Sequence, residues 1–278
     1  MGWQLNETNT GLAGVGIDKN SLPLYTGPIA PAANTTISMQ KITGALWLYN
    51  GGITIDRCWI QPTGSQHLGS IIFTYDPTVG KWATSPTTIT NCDIDGTAVT
   101  DPYIYADFAI RGSGIIAHNN NIYGMGDGIG LFHHDSMNSS IIQNYIHGLR
   151  GGNFGSPSQP SHGESMTIRN FGGSLCLVQN NYLESLINTS GSLFIQAWEG
   201  AIDNVTIEGN YLHTPNYCIV LNMNTHGYGS HIRVINNRFE KIGFGPIAYD
   251  GPAPETFTNN YYYNAGNPPE NNGAAIDY

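Results

Sequence analysis

The chain has 278 residues, of which only 11% are charged, while 40% are apolar, 11% aromatic, 35 are Gly and 15 Pro. The apolar share suffices for a sizeable core and excludes charge-driven disorder, and the scarcity of Glu, Lys and Arg excludes coiled coils and long amphipathic helices. A formal charge of −10, from 20 Asp+Glu against 10 Lys+Arg, offers no cationic footprint for phosphate, so nucleic acid is not an expected partner.

The first residues, Met1-Gly2-Trp3-Gln4, form neither a charged n-region nor an apolar h-region, so no secretory signal is expected in this chain. No apolar run reaches the roughly 18 residues that span a bilayer, and membrane insertion is not expected. Polar side chains are Asn, Thr, Ser and Tyr rather than ions. That profile suits an extracellular all-β protein, secreted or carried on a virion. Residues 1–40, with Pro23, Pro28 and Pro31, read as an irregular cap over the first coil of a repeating structure.

The repeat is imperfect and occupies residues 53–60, 88–94, 118–122, 141–146, 178–183, 205–212, 234–239 and 257–262. Aligned, one column reads Cys58, Cys92, Asn120, Asn144, Asn181, Asn210, Asn237, Asn260. Two residues later stand Ile60, Ile94, Ile122, Ile146, Leu183, Leu212, Phe239 and Tyr262. Successive cycles are spaced by 34, 28, 24, 37, 29, 27 and 23 residues. The segments are short, β-branched, alternating and punctuated by Gly and Asn, which predicts strand and turn rather than helical hairpins. A β-rich unit of this period predicts one coil of a parallel β-solenoid, with about eight coils. Stacking would turn the Asn column into an internal ladder, each amide bonding the next, at a bend that Asn tolerates at positive φ. Hairpin turns of a β-sandwich are the alternative, but they give no reason for one column to stay Asn or Cys throughout. Cys58 and Cys92, in adjacent coils, read as a buried thiol step rather than a catalytic pair, with a disulfide as the other option.

A second set of strands, at 45–49, 70–75, 128–134, 164–169, 192–196 and 218–222, predicts a second parallel face beside the Asn-bearing one. Residues 251–278, with four prolines from Pro252 to Pro269, would close the far end. The expectation is a single domain: cap 1–40, solenoid 41–264, tail 265–278.

The longest excursions fall at 76–87, 96–108, 149–163 and 223–231, and loops of such size in a compact domain are usually functional. Against a background poor in charge, ionisable residues cluster between 127 and 199. The catalytic candidates are His134, Asp135, His162, Glu164 and Glu199, with Asp127 beside them. The substrate-binding candidates are Arg150, Arg169, Gln196, Trp198, Asn222 and His226. Leu131, Leu193 and Ile195 are expected to point inward, which sends His134 and Gln196 outward. The result would be a groove lined by carboxylates, His, Arg and an aromatic ring. Aromatic faces stack on pyranose rings, and carboxylates serve as acid, base or nucleophile, so the inventory suits a sugar polymer. Plainer readings stand beside it: a surface His133-His134 pair, His162 and Glu164 satisfying a turn, Trp198 covering apolar surface. His133 and His134 lack the helical spacing of a zinc site. No cofactor is expected, calcium at Asp95, Asp101 and Asp107 being the one metal the residues admit, at a spacing that matches no defined loop.

The repeated V-T-I-x-x-N-x-I pattern with its Asn column, from about residue 40 to 264, resembles the right-handed parallel β-helix of the pectin-lyase-like superfamily. More narrowly, Asn9-Thr10-Gly11-Leu12-Ala13, Leu24-Tyr25-Thr26-Gly27-Pro28, Phe194-Ile195-Gln196, residues 203–210 and Asn236-Asn237-Arg238-Phe239 resemble uncharacterised actinobacterial β-helix proteins and mycobacteriophage minor tail proteins. Ser161-His162-Gly163-Glu164 resembles a His-x-Asp segment of that group, with Glu in place of Asp. The resemblance implies a carbohydrate ligand. The Asn-Thr-Asp, Asp-Asp and Gly-His-Gly series of polygalacturonases and the V-x-I-R-x-P context of pectate lyases are absent.

The leading expectation is therefore a protein that binds and cleaves a polysaccharide or cell-surface glycan. An inverting hydrolase would need two of Asp127, Asp135, Glu164 and Glu199 about 6.5–9.5 Å apart. A lyase would use His134, His162 or Arg150 as base or carboxylate-neutraliser. The acidic balance disfavours a polyanionic substrate and leans toward hydrolysis. The competing expectation is a non-catalytic adhesin of a phage tail or cell surface, homotrimeric or part of a virion assembly, with Trp198 and Tyr228 carrying affinity.

Overall fold

Short β-branched runs cut by Asn and Gly can pair only with equivalents one cycle away, and they do so in parallel. The computed structural model describes residues 1–64, 69–76, 78–101, 107–132, 137–150, 162–187 and 191–277, and they are almost entirely β. Three long sheets carry the described residues. The first has nine strands, from Thr36–Ser38 to Thr256–Thr258; the second has ten, from Lys41–Ile42 to Asn272–Ala275; the third has eight, from Leu46–Trp47 to Gly245–Tyr249. The chain visits first, second and third in turn and then returns, an arrangement compatible with a β-solenoid. Pairing is parallel except at the closing strand Asn272–Ala275 and at a hairpin of Tyr75–Asp76 with Lys81–Trp82, inside the excursion expected at 76–87.

Three sheets stand where the sequence predicts two faces. Each Asn-bearing segment breaks at its column: Thr87–Thr90 belongs to the first sheet and Asp93–Asp95 to the second, with Asn91 and Cys92 as the bend. Left-handed backbone falls one residue before the column, not on it. Arg57, Asn91, Asn119, Gln143, Asn180, Asn236 and Asn259 have φ between 52° and 57°, and Gly209 has 65°. One left-handed residue turns the chain and aims the next side chain into the interior.

The ladder is continuous. From Asn120 to Asn237, each Nδ2 donates to the Oδ1 of the next Asn at 2.9–3.1 Å. That same Oδ1 accepts the preceding backbone N–H at 2.9–3.1 Å. Each Nδ2 also donates to a first-sheet carbonyl, as Asn144 does to Ala117 at 2.8 Å. The cysteines extend the column: Cys92 N–H donates to Asn120 Oδ1 at 3.0 Å, and Cys58 N–H to Cys92 Sγ at 3.4 Å. Both are buried free thiols, and burial pushes Cys92 upward. The aligned apolar column is in register, Ile94 with Ile122, Ile122 with Ile146, Leu212 with Phe239.

The core lies between the sheets, where Ile89, Ile94, Ile110, Ile141, Leu183, Leu193 and their counterparts are fully buried. Each such side chain contributes about 1.5–3 kcal/mol. The third sheet contains the expected strands and two more, Phe108–Gly112 and Gly245–Tyr249.

The N-terminal residues divide. Lys41 bonds the backbone on both sides of Leu24 at the first strands, Tyr25 N–H donating to Lys41 O and Lys41 N–H to Pro23 O, both 2.8 Å. Residues 2–12 instead run lengthwise along the outside of the second sheet. Gly2 N–H donates to Gly209 O at 2.9 Å, Trp3 Nε1 to Pro269 O at 3.0 Å, Gly11 N–H to Asn119 O at 2.9 Å, and Leu12 N–H to Asp93 Oδ1 at 3.2 Å. Gly11 has φ 56° and lies so close that a Cβ would overlap Asp93 Oδ1. Among the described residues no helix is long and apolar enough to cross a membrane.

Candidate functional site

On the third sheet, inward Ile110, Ile129, Met166 and Leu193 alternate with outward Arg111, Gly130, Thr167 and Phe194, each set in register. Gly130 leaves a gap in the outward row, where a Cβ would stand 2.6 Å from the Phe132 ring. Phe132 packs edge-on against Phe108, with centroids 5.3 Å apart. The guanidiniums of Arg111 and Arg169 lie 3.8 and 4.8 Å from that ring centroid. The Nε of each is buried without a hydrogen-bond partner, and neither arginine joins the ion pairs among the described residues. Burial lowers the pKa of Arg111; Glu199 opposes the shift and the like charge of Arg169 adds to it. Two guanidiniums on one ring, each with a buried and unbonded Nε, suit an anion.

Beside them sits a carboxyl pair. Asp127, at the start of Asp127–Leu131, and Glu164 are each 1% exposed, and Glu164 N–H donates to Asp127 Oδ1 at 2.7 Å. The segment is pinned to its neighbour by Gly128 N–H to Glu164 O at 2.9 Å and Ile129 N–H to Ser165 O at 3.0 Å. Ser185 Oγ donates to Gly163 O. Burial first, then the Glu164 charge, push Asp127 well above the usual carboxylate range, with Arg169 pulling the other way. A carboxyl in such a setting favours its protonated form. Glu164 then faces His162, whose imidazole is 41% exposed and whose Nδ1 lies 3.3 Å from Glu164 Oε1. The contact is close but off the line of a hydrogen bond.

A third group gathers past the C-terminal ends of the strands. Gln196 and Asn222 are register partners, Glu199 N–H donates to Arg169 O at 3.0 Å, and His226 N–H to Ala197 O at 3.1 Å. Trp198 is 55% exposed among them. Arg169, Gln196, Trp198, Glu199, Asn222 and His226 thus form one patch, and Leu131, Leu193 and Ile195 point inward. Arg150 stands apart. Its Nε donates to Gly124 O at 2.9 Å and its Nη2 to Gly96 O and Val99 O at 2.9 and 2.7 Å, so it ties turns together. His133, His134 and Asp135 lie outside the described residues.

Arg111 and Phe132 are not among the residues that the sequence singles out. The signal available is the alternation Phe108-Ala109-Ile110-Arg111, which marks a strand with Arg111 outward. Of the acids considered for calcium, Asp95 accepts from Thr97 N–H and Oγ1 at 2.8 and 2.6 Å and from Gln61 Nε2 at 2.9 Å. Among the described residues no group of three or more His, Cys, Asp or Glu is arranged to hold a metal ion. No protein-family model matches the chain, and no curated protein or solved structure is significantly similar to it.

Proposed function

We propose that the chain is a right-handed parallel β-helix of about eight coils, of the pectin-lyase-like kind, that binds and cleaves an acidic polysaccharide on the outward face of its third sheet. The observation that carries this reading is the pair of guanidiniums, Arg111 and Arg169, that lie over Phe132 with each Nε buried and unbonded. Such a pair matches a carboxylate in charge and geometry. The overall acidity of the chain leans toward a neutral substrate, but the local field decides what a pocket accepts.

The chemistry that fits is β-elimination. The arginines neutralise the carboxylate of a uronic acid unit, which acidifies the proton on C5. His162 takes that proton, and the Glu164 charge beside it stabilises the imidazolium that forms. The electron pair left on C5 forms the C4–C5 double bond, the C4–O bond breaks, and the departing oxygen takes a proton from water. Asp127 is a positioning residue: its Oδ1 accepts the Glu164 N–H and holds that backbone in place. Substrates of this kind place the protein outside the cell or on a virion.

The test is a panel of neutral and acidic polysaccharides, read by reducing ends and by the ultraviolet absorbance of unsaturated uronates. Absorbance should rise with an acidic polymer, vanish in His162→Ala and Glu164→Gln, and require more substrate in Arg111→Met. Silence on every acidic polymer, or variants as active as the parent, rejects cleavage by this face. A binding-only adhesin is the second reading, favoured by Trp198 and Tyr249, 55% and 41% exposed; it predicts glycan capture with no new ends.

A further inference from the structure

The N-terminal segment does more than cross the second sheet. Between them lies a pocket of about 540 Å³, within the size range of small-molecule sites. Its floor is the outward side of the sheet, where Asp93 pairs in register with Asn121, and Tyr123, two residues further along, with His147. The His147 ring is stacked between Tyr123 and Tyr145, at 5.3 and 4.1 Å. Its Nε2 lies 3.0 Å from Asn121 Oδ1. An amide oxygen only accepts, so Nε2 carries the hydrogen and Nδ1 is an acceptor. Burial holds His147 below the ordinary histidine value, hence neutral at pH 7. The opposite wall comes from the N-terminal segment: Leu12 and Ile17 are apolar, while Glu7, Asp18, Lys19 and Asn20 are polar.

We propose that this pocket is a second ligand site, separate from the third-sheet face, and that it takes a neutral sugar ring. A pyranose presents C–H faces and a belt of hydroxyls that both donate and accept. It therefore needs flat π surface, an aliphatic counter-wall and mixed polar groups in one cavity. Tyr123 supplies the first, Ala13 and Ile17 the second, and Asp93, Asn121, Asn20 and the Nδ1 edge of His147 the third. Charge sets the class. Three carboxyls, on Glu7, Asp18 and Asp93, face one ammonium, so an anion is repelled. Lys19, which donates to the Tyr123 hydroxyl at 3.3 Å and lies 5.1 Å from the Trp59 ring, opposes an amine. The preference is thus the reverse of that set by Arg111 and Arg169.

The whole chain should be titrated with methyl glucoside, methyl mannoside, N-acetylglucosamine and cellobiose, by calorimetry and saturation-transfer NMR, with glucuronate as the charged control in the Arg111→Met variant, so that the third-sheet face does not capture it. At least one neutral sugar should bind saturably, and glucuronate at least tenfold more weakly. Ala13→Trp, at an exposed position of the segment, should fill the pocket and weaken binding at least tenfold. Asn20→Ala, also exposed, should weaken it at least threefold; circular dichroism melts confirm that both variants fold. No saturable neutral sugar, glucuronate binding equally well, or undiminished binding in both variants overturns the proposal. Because the readout is binding rather than cleavage, failure here leaves the third-sheet reading standing, and the converse also holds.

Discussion

At the bend between the first and second sheets, Asn120, Asn144, Asn181, Asn210, Asn237 and Asn260 are 0–1% exposed, and the amide oxygens from Asn144 onward each accept twice. On the outward side of the third sheet, Arg111 Nε, Arg169 Nε and Glu164 Oε1 are equally hidden from water and have no hydrogen-bond partner. The composition of the two places is similar in that both put polar groups in low dielectric. They differ in satisfaction. A fully bonded polar column fixes register and rigidity, whereas an unsatisfied one lowers stability and persists where a ligand completes it. The bend is therefore scaffold, and the third-sheet face is the place to look for chemistry.

The largest test of that contrast is Asn181→Ala. The amide accepts from Asn144 N–H and Nδ2, both at 2.9 Å, and donates to Ile141 O and Asn210 Oδ1 at 2.8 and 3.0 Å. Its removal strands several buried groups and should cost about 3–5 kcal/mol, measured as a shift in the urea midpoint. A loss below about 1 kcal/mol would break the comparison. Arg111→Met goes the other way: removing a guanidinium whose Nε is buried and unbonded should leave the ligand-free protein at least as stable as the parent, while acidic-polymer binding weakens. Destabilisation would mean that the guanidinium is satisfied after all.

Asp127→Asn sharpens the contrast by pH. The folded protein holds the Asp127 proton more tightly than the unfolded chain does. Its stabilising contribution is full below the unfolded value, about 3.9, and is lost as pH rises through the folded value. Asparagine still accepts from Glu164 N–H, so melts of the variant from pH 4 to 8 should show a flatter decline than the parent. The smallest effect belongs to the bend itself. Gln143, at φ 57°, occupies a conformation that Asn tolerates better, and Gln143→Asn should raise stability by roughly a few tenths of a kcal/mol. Differential scanning calorimetry resolves such a shift.

The ladder and the apolar column are legible in the sequence because the same constraint recurs at every level, so Asn120 and Asn144 identify each other. The third sheet is legible only in part. Splitting each segment into two sheets takes a single left-handed residue, and Arg57 and Gln143 carry no turn signature. The acid and histidine of the candidate site, Glu164 and His162, can be picked out because charge is scarce. Arg111 cannot, because its setting depends on the gap at Gly130 and the ring of Phe132 in the next cycle. Neither can the path of residues 2–12, whose partners lie far along the chain, at Asp93, Asn119, Gly209 and Pro269.

That path has a consequence for the order of assembly. In a stack of repeats each level touches only its neighbours, and the ends can fray independently. Here Gly2 and Trp3 rest on Gly209 and Pro269, while Gly11 and Leu12 rest on Asn119 and Asp93. Residues 2–12 have no seat until the segments that carry Gly209 and Pro269 have folded, so they settle late. Once seated, they close a linear array into a circuit, and loosening the far levels tugs on the near ones.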